Sequence, residues 1–220
     1  MTLRFTTLAL CCTAALAACS PQPAASDNHA ASAVAAAASE AGSVTIDTAR
    51  GEATVPANPE RIAVYDWGML DTLGKLGVDV GATTTNIRLG YLQDAARNMQ
   101  PVGTLFEPDY EALHAFAPQL IITGSRTAPA FEQLSKLAPT IEMTADTTKM
   151  RESTEARIDA FAKIFHKEAE AQALKKEIDE SFATAKAAAQ GKGSGLVILV
   201  NGGKMSAFGP DSRFGWIYRD

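Results

Sequence analysis

Cysteine is scarce in this chain and confined to its start. The three present are Cys11, Cys12 and Cys19, and none lies further on. Residues 20–220 can therefore hold neither a structural disulfide nor a zinc–thiolate centre. Histidine is just as sparse: His29, His114 and His166 stand on well-separated segments, too few to converge with carboxylates as a dedicated metal receptor requires. Charge of one sign is also missing. Lys and Arg number 20 against 25 Asp and Glu, for a net charge of −5, and the two signs are interspersed, which argues against a nucleic-acid partner. Beyond the N-terminus no apolar run approaches the ~20 residues of a membrane helix. Signatures of catalysis are absent as well. Gly202-Gly203-Lys204 has neither the upstream glycine nor the Ser or Thr of a phosphate-binding loop, and there is no Gly-x-Ser-x-Gly elbow. Glu111 and His114 share a helix face without a third ligand. The reading is of a protein that is not an enzyme and has no intrinsic cofactor or protein-bound metal.

What is present begins at the N-terminus. Arg4 supplies a basic start, Leu8 to Leu16 an apolar stretch, and Leu16-Ala17-Ala18-Cys19 a small-residue box before a cysteine. That order predicts a secretory signal peptide over 1–18, with Cys19 as the lipidation site of a membrane-anchored, exported protein. Residues 20–42 are rich in Ala and Ser and contain no aromatic residue. They read, with Cys19, as a lipid anchor and flexible leash over 19–42. His29 falls in this tract.

The body then alternates strand and helix signals. Ser43–Asp47 and Ala53–Val55 have period-two patterning around Gly51 and predict a hairpin. Arg61–Tyr65 reads as a buried strand, Asp66 as a helix cap, and Met69, Leu70, Leu73 and Leu76 as one helical stripe ended by Gly77. Val78–Ala82 is the next strand, which makes a βαβ unit and implies a parallel sheet. Further on, Asp109–Phe116 and Ala130–Leu137 read as helices, and Leu120–Thr123 and Thr140–Met143 as strands. These form an α/β lobe over 43–146.

Between Thr140 and Gln190 there is neither glycine nor proline. Ile158, Phe161 and Phe165, then Leu174, Ile178 and Phe182, fall at helical spacings. The expectation is one long helix over 147–190, about 60 Å at 1.5 Å per residue, carrying the chain to a second lobe. Leu196–Val200, the Gly202-Gly203 turn and Met205–Phe208 form a hairpin that opens this second lobe over 191–220.

Four segments resemble a known family: Val64-Tyr65-Asp66-Trp67-Gly68-Met69-Leu70-Asp71, Val102-Gly103-Thr104-Leu105-Phe106-Glu107-Pro108-Asp109, Pro118 to Arg126, and Gly209-Pro210-Asp211-Ser212-Arg213-Phe214-Gly215. The chain resembles class III periplasmic binding proteins, lipoproteins that serve ABC importers of iron–siderophores, haem and cobalamin. The last segment is similar to the branch that takes catecholate siderophores such as ferric enterobactin. The resemblance implies an α/β class III fold with an N-terminal α/β lobe, a long connecting helix and a second α/β lobe that is incomplete here, an apparent C-terminal truncation. It further implies capture of a ferric siderophore in the periplasm and delivery to an inner-membrane ABC permease. Haem or cobalamin is the alternative cargo, and a non-binding remnant the alternative role. With only the start of a second lobe, the 220 residues are expected to bind weakly by themselves.

A ferric catecholate is anionic and rimmed by aromatic rings, so its site requires cations that donate hydrogen bonds and stack, which favours arginine. Arg126 lies just past the strand Leu120–Thr123, at the edge where open α/β sheets bind ligands. Arg213 holds the matching place in the second lobe. Tyr65, Trp67, Arg88 and Tyr91 complete the expected ligand-binding set. The resemblance offers no residue of this chain as a direct contact to iron.

Overall fold

A computed structural model describes residues 42–219. The expected signal peptide, Cys19, His29 and all but the last residue of the leash lie outside the described residues. The chain opens with an antiparallel hairpin, β1 (Ser43–Thr48) and β2 (Gly51–Pro56), in which Val44 pairs with Val55 and Ile46 with Ala53. Next come β3 (Ile62–Val64), α1 (Trp67–Lys75), β4 (Ala82–Thr83), α2 (Gly90–Ala96) and β5 (Gln100–Pro101). After these come α3 (Tyr110–Phe116), β6 (Leu120–Thr123), α4 (Phe131–Leu134) and β7 (Thr140–Glu142). β3 to β7 form one parallel sheet in the order β5-β4-β3-β6-β7.

The alternation of side chains along these strands divides the core in two. Ile62, Val64, Leu120, Ile122 and Ile141 face the α1 stripe and the inward side of the hairpin. Ala63, Tyr65, Ile121, Leu113 and Leu134 form a separate cluster on the other face. Asp66 caps α1 by accepting from Met69 N at 3.1 Å, and Asp109 caps α3 by accepting from Ala112 N at 2.9 Å. The Asp66 cap agrees with the sequence; Asp109, read there as the first residue of its helix, stands one place before it as the cap. Two elements, α2 and β5, were not anticipated. The β4 strand is shorter and later than Val78–Ala82, and β5 places Pro101 in the sheet. Proline is tolerated there because β5 is an edge strand and has one side free of pairing.

The expectation of one unbroken helix over 147–190 is corrected. α5 (Met150–Phe165) ends at His166, which adopts a left-handed conformation with φ 55°, and α6 (Glu168–Ala189) starts anew. The two helices run antiparallel, because Arg151 pairs with Asp179 and Lys175 with Asp159. Stripe phase explains the fold-back. Phe165 and Leu174 are nine residues apart in the sequence, about 2.5 turns at 3.6 residues per turn, so a straight helix would place the two apolar stripes on opposite sides. Folding at His166 lets Leu174 and Ile178 pack against the same core as Ile158, Phe161 and Phe165. α6, with 22 residues, is the longer of the two.

β8 (Val197–Asn201) and β9 (Lys204–Phe208) form the expected hairpin as a separate two-stranded sheet. Leu196, Val200 and Met205 are 63%, 67% and 72% exposed. The segment is tied back to the helices by a short terminal helix, α7 (Trp216–Arg219). Trp216 packs edge-on against Phe182 with ring centroids 5.9 Å apart, and Arg219 donates to Thr148 O at 2.7 Å.

Ala117 ends α3 at φ 50°, ψ 62°, a left-handed conformation that disfavours a Cβ. It is exposed, so its methyl contributes little burial. Ala117→Gly is expected to raise stability by about 0.5–1 kcal/mol, the strain relief being partly offset by a freer unfolded chain. A urea midpoint that moves up with an unchanged slope is the check; a lower midpoint refutes it.

Candidate functional site

The carboxyl-terminal edge of the parallel sheet carries the candidate site. Each strand there passes into a loop whose polar groups are tied by threonines. Thr83 Oγ1 donates to Val64 O at 2.9 Å and Thr123 Oγ1 to Ile141 O at 3.1 Å. Thr127, fully buried, donates through Oγ1 to Leu105 O at 2.6 Å, with Tyr65 O at 3.3 Å. The loops after β3, β5 and β6 are thereby joined. Gly103, at φ 103°, permits the β5 loop to turn this tightly, since a Cβ there would lie 2.4 Å from Asp109 N.

Arg126 and Ser125, next to the buried Thr127, are exposed on this edge. Phe106 on the adjoining loop is 67% exposed and sits where Thr104 Oγ1 accepts from the Phe106 and Glu107 amides. Trp67 is half-buried, with its indole Nε1 donating to Thr84 Oγ1 at 3.0 Å. That bond fixes the ring against the start of the β4 loop, on which Arg88 is exposed.

The remaining candidates go elsewhere. Tyr65 is fully buried in the core cluster beneath α3 and α4, and its hydroxyl donates to Val102 O at 2.8 Å. Its ring is core packing and does not face a ligand. Strand alternation accounts for this, because Tyr65 follows Val64 onto the opposite face of the sheet. Tyr91 is exposed at the start of α2 and donates to Asp71 Oδ2 at 3.4 Å, on the flank of α1. Among the described contacts none joins Arg213 to Arg126.

Arg213 belongs to a compact knot in the C-terminal segment. Its guanidinium carbon lies 4.8 Å from the centroid of Phe214 and 5.4 Å from that of Phe208, and these two rings are themselves edge-on at 5.0 Å. Ser212 Oγ donates to Gly209 O at 2.6 Å, and Tyr218 OH donates to Phe208 O at 2.7 Å. Gly215 is required here, since a Cβ would meet Pro210 O at 1.9 Å.

One charged residue at this edge was missed from the sequence. Arg157 on α5 is half-buried and donates to Thr154 Oγ1 at 3.2 Å and to Met143 O, just past β7, at 3.4 Å. Burial holds its guanidinium below the usual arginine value, while the Asp66 carboxylate pulls the other way. The available signal was its place on the helix, three residues after Thr154 and beside Ile158 on the inward face.

A profile of the periplasmic binding protein family matches residues 62–220. The chain belongs to that family. Among curated relatives, the petrobactin-binding protein YclQ of Bacillus subtilis is 40% identical over 168 residues, covering 74% of this chain and 53% of its own length. The ferric-anguibactin-binding protein FatB of Vibrio anguillarum is 27% identical over 185 residues, covering 80% and 56%. The crystal structure of YclQ superposes with a TM-score of 0.76 at 37% identity, over 81% of this chain and 65% of that one. The periplasmic catecholate-siderophore binding protein VctP of Vibrio cholerae gives 0.72 at 30% identity, over 81% and 66%. The chain thus spans about half the length of the curated relatives named. The α/β class III architecture expected from the sequence is the fold these neighbours share.

The burial of Tyr65 has a pH signature. Desolvation, reinforced by the nearby Tyr110 and Asp109, raises its phenol well above the ordinary value of 10.0. The folded state therefore keeps the proton at pH values where the unfolded chain releases it, so this contribution is complete below about pH 10 and is lost as pH rises beyond it. Tyr65→Phe is expected to cost about 1 kcal/mol at neutral pH by removing one of the two donors to Val102 O, which keeps its bond from Asp109 N at 2.9 Å. The gap to wild type should narrow as pH rises above about 10. Urea unfolding of both forms across pH 7–11 measures it, and a constant gap would show that Tyr65 titrates alike in both states.

Proposed function

We propose that this chain is the ligand-capturing part of a periplasmic receptor that takes a ferric siderophore and passes it to an ABC importer, with an anionic catecholate complex as the preferred class. The observation that carries this reading is the Arg213 knot. A guanidinium held over two aromatic rings keeps its charge and its fork of donors while its position is fixed by Phe208 and Phe214. That is the chemistry an anionic complex rimmed by rings requires. Arg126, exposed at the carboxyl-terminal edge of the sheet, supplies the second cation, with Trp67 after β3 and Arg88 after β4 on other connections of the same edge. The names of the petrobactin-binding YclQ and the ferric-anguibactin-binding FatB support a siderophore as cargo, and that of VctP supports the catecholate class.

The division that suits this role is an α/β lobe over 43–146, the helical segment 147–190, and the opening of a second lobe over 191–220. Binding needs no enzymatic step, and the iron arrives as cargo within its chelate. The cargo reading is tested by titrating the chain with iron(III) tris-catecholate and following tryptophan fluorescence. Arg213→Ala and Arg126→Ala are each expected to weaken binding by about 1.5–3 kcal/mol, the range for hydrogen bonds to charged groups. Lysine at either position should recover only part of that, because the planar fork is lost. Equal affinities of wild type, Ala and Lys forms would remove that arginine from the site. Equal competition by haem or cobalamin would move the cargo to those classes.

We also propose that Cys19 carries the lipid that holds the receptor at a membrane surface within the periplasm. The supporting observation is the Leu16-Ala17-Ala18-Cys19 box. Cys19→Ala should shift the protein from the membrane pellet to the soluble fraction of the cell envelope; continued pelleting of the variant counts against lipidation.

A further inference from the structure

A cavity of about 700 Å³ opens between the β1–β2 hairpin, α5 and the loop after β7, lined among others by Asp47, Glu52, Thr144, Ser153 and Arg157. Three of the six charged residues on its lining, Lys163, Asp159 and Asp146, are already engaged. Lys163 Nζ donates to Thr45 O at 2.6 Å, Asp159 pairs with Lys175, and Asp146 accepts from Thr148 N. Arg157 differs. Among the described residues no carboxylate lies within 4.0 Å of it, its two hydrogen bonds are long, and its Nε–H has no acceptor. None of its nitrogens is sealed from solvent without a partner, so the free donors remain reachable.

Arg50 shows what a purely structural arginine looks like in the same molecule. Its Nε donates to Glu142 Oε2 at 2.7 Å and its guanidinium lies 4.1 Å from the centroid of the Phe131 ring. Arg157 has no such saturation: the Asp66 carboxylate offsets part of its burial from beyond 4.0 Å, and a half-buried cation in no direct ion pair still carries a desolvation cost that an incoming anion relieves. Its position makes that anion a ligand group. Met143 and Thr144 leave β7 at the same carboxyl-terminal edge of the sheet on which Arg126 stands. Asp47 and Glu52, directly opposite each other in the hairpin, are in no ion pair among the described residues and repel an anion from the hairpin side. The favourable place for negative charge is therefore at Arg157.

We propose that Arg157 is a further ligand-contacting cation of this receptor, offering its free guanidinium donors to an anionic oxygen of the bound complex from the cavity side of the sheet edge. This rests on the ligand-capture reading above. The test uses the ¹⁵N-labelled chain and the Arg157 Nε–H resonance, assigned by its loss in Arg157→Lys. The probes are citrate alone and gallium(III) tris-catecholate, the diamagnetic counterpart of the iron complex. The expected result is a saturable shift of the Arg157 signal with the gallium complex while the Arg50 signal stays in place. Arg157→Gln should weaken binding of that complex at least fivefold, and Arg157→Lys should recover part of it with an unchanged thermal midpoint. Wild-type binding with an unmoved Arg157 resonance, or affinities of wild type and Arg157→Gln within twofold, overturns the proposal. If wild type takes no gallium complex at all, the cargo reading fails by itself. The citrate arm then decides Arg157: a saturable shift keeps it as an anion contact, and none ends the proposal.

Discussion

Two-sided burial of a very short parallel sheet is the constraint on which the rest of the molecule depends. None of the five strands exceeds four residues, so the backbone ladder is brief and side chains must supply most of the cohesion. Alternation sends Ile62, Val64, Leu120 and Ile122 to one face and Ala63, Tyr65 and Ile121 to the other. With strands this short, the chain enters its loops almost at once. The threonines at positions 83, 123 and 127 take up carbonyls of neighbouring strands and loops where the ladder runs out. The same bonds that finish the sheet hold Arg126 in place beside it.

Arginine serves several distinct ends on this scaffold, and its surroundings separate them. Arg50 is saturated by Glu142 and covered by a ring, so it clasps the hairpin to the sheet edge. Arg151 joins α5 to α6 through Asp179 and lies over Phe182. Arg213 is stacked but carries no carboxylate among the described residues, and Arg126 projects from a buttressed loop into water. Formal charge is identical in all of them. The capacity to receive an anion depends on which donors the fold leaves unspent.

Much of this was legible in the sequence, because local signals and burial agreed. The Asp66 cap, the β1–β2 hairpin, the buried run Leu120–Thr123 and the Gly202-Gly203 turn all stand where residue chemistry placed them. Tyr65 was ambiguous, since an aromatic at a strand end suits a cleft or a core equally well, and only the face it takes decides. The helical segment misled because it contains no glycine or proline to mark a break. The register change between its two stripes held the information, and the polar His166-Lys167-Glu168 run marked the place. Arg157 was hidden for a related reason: its importance comes from residues distant in the chain, Met143 and Asp66, that the fold brings near.

The reversal at His166 also sets a mechanical ratio. α6 extends for 22 residues from that corner, about 33 Å at 1.5 Å per residue, and the hairpin and Arg213 follow from its far end. A tilt of about 5° at the corner would displace that end by about 3 Å over such an arm, comparable to a hydrogen bond. The ion pairs of Asp179 and Asp159 and the Arg219–Thr148 contact act as struts along the arm. Loosening or tightening them would change how far the distal cation sweeps without altering any residue of the proposed site.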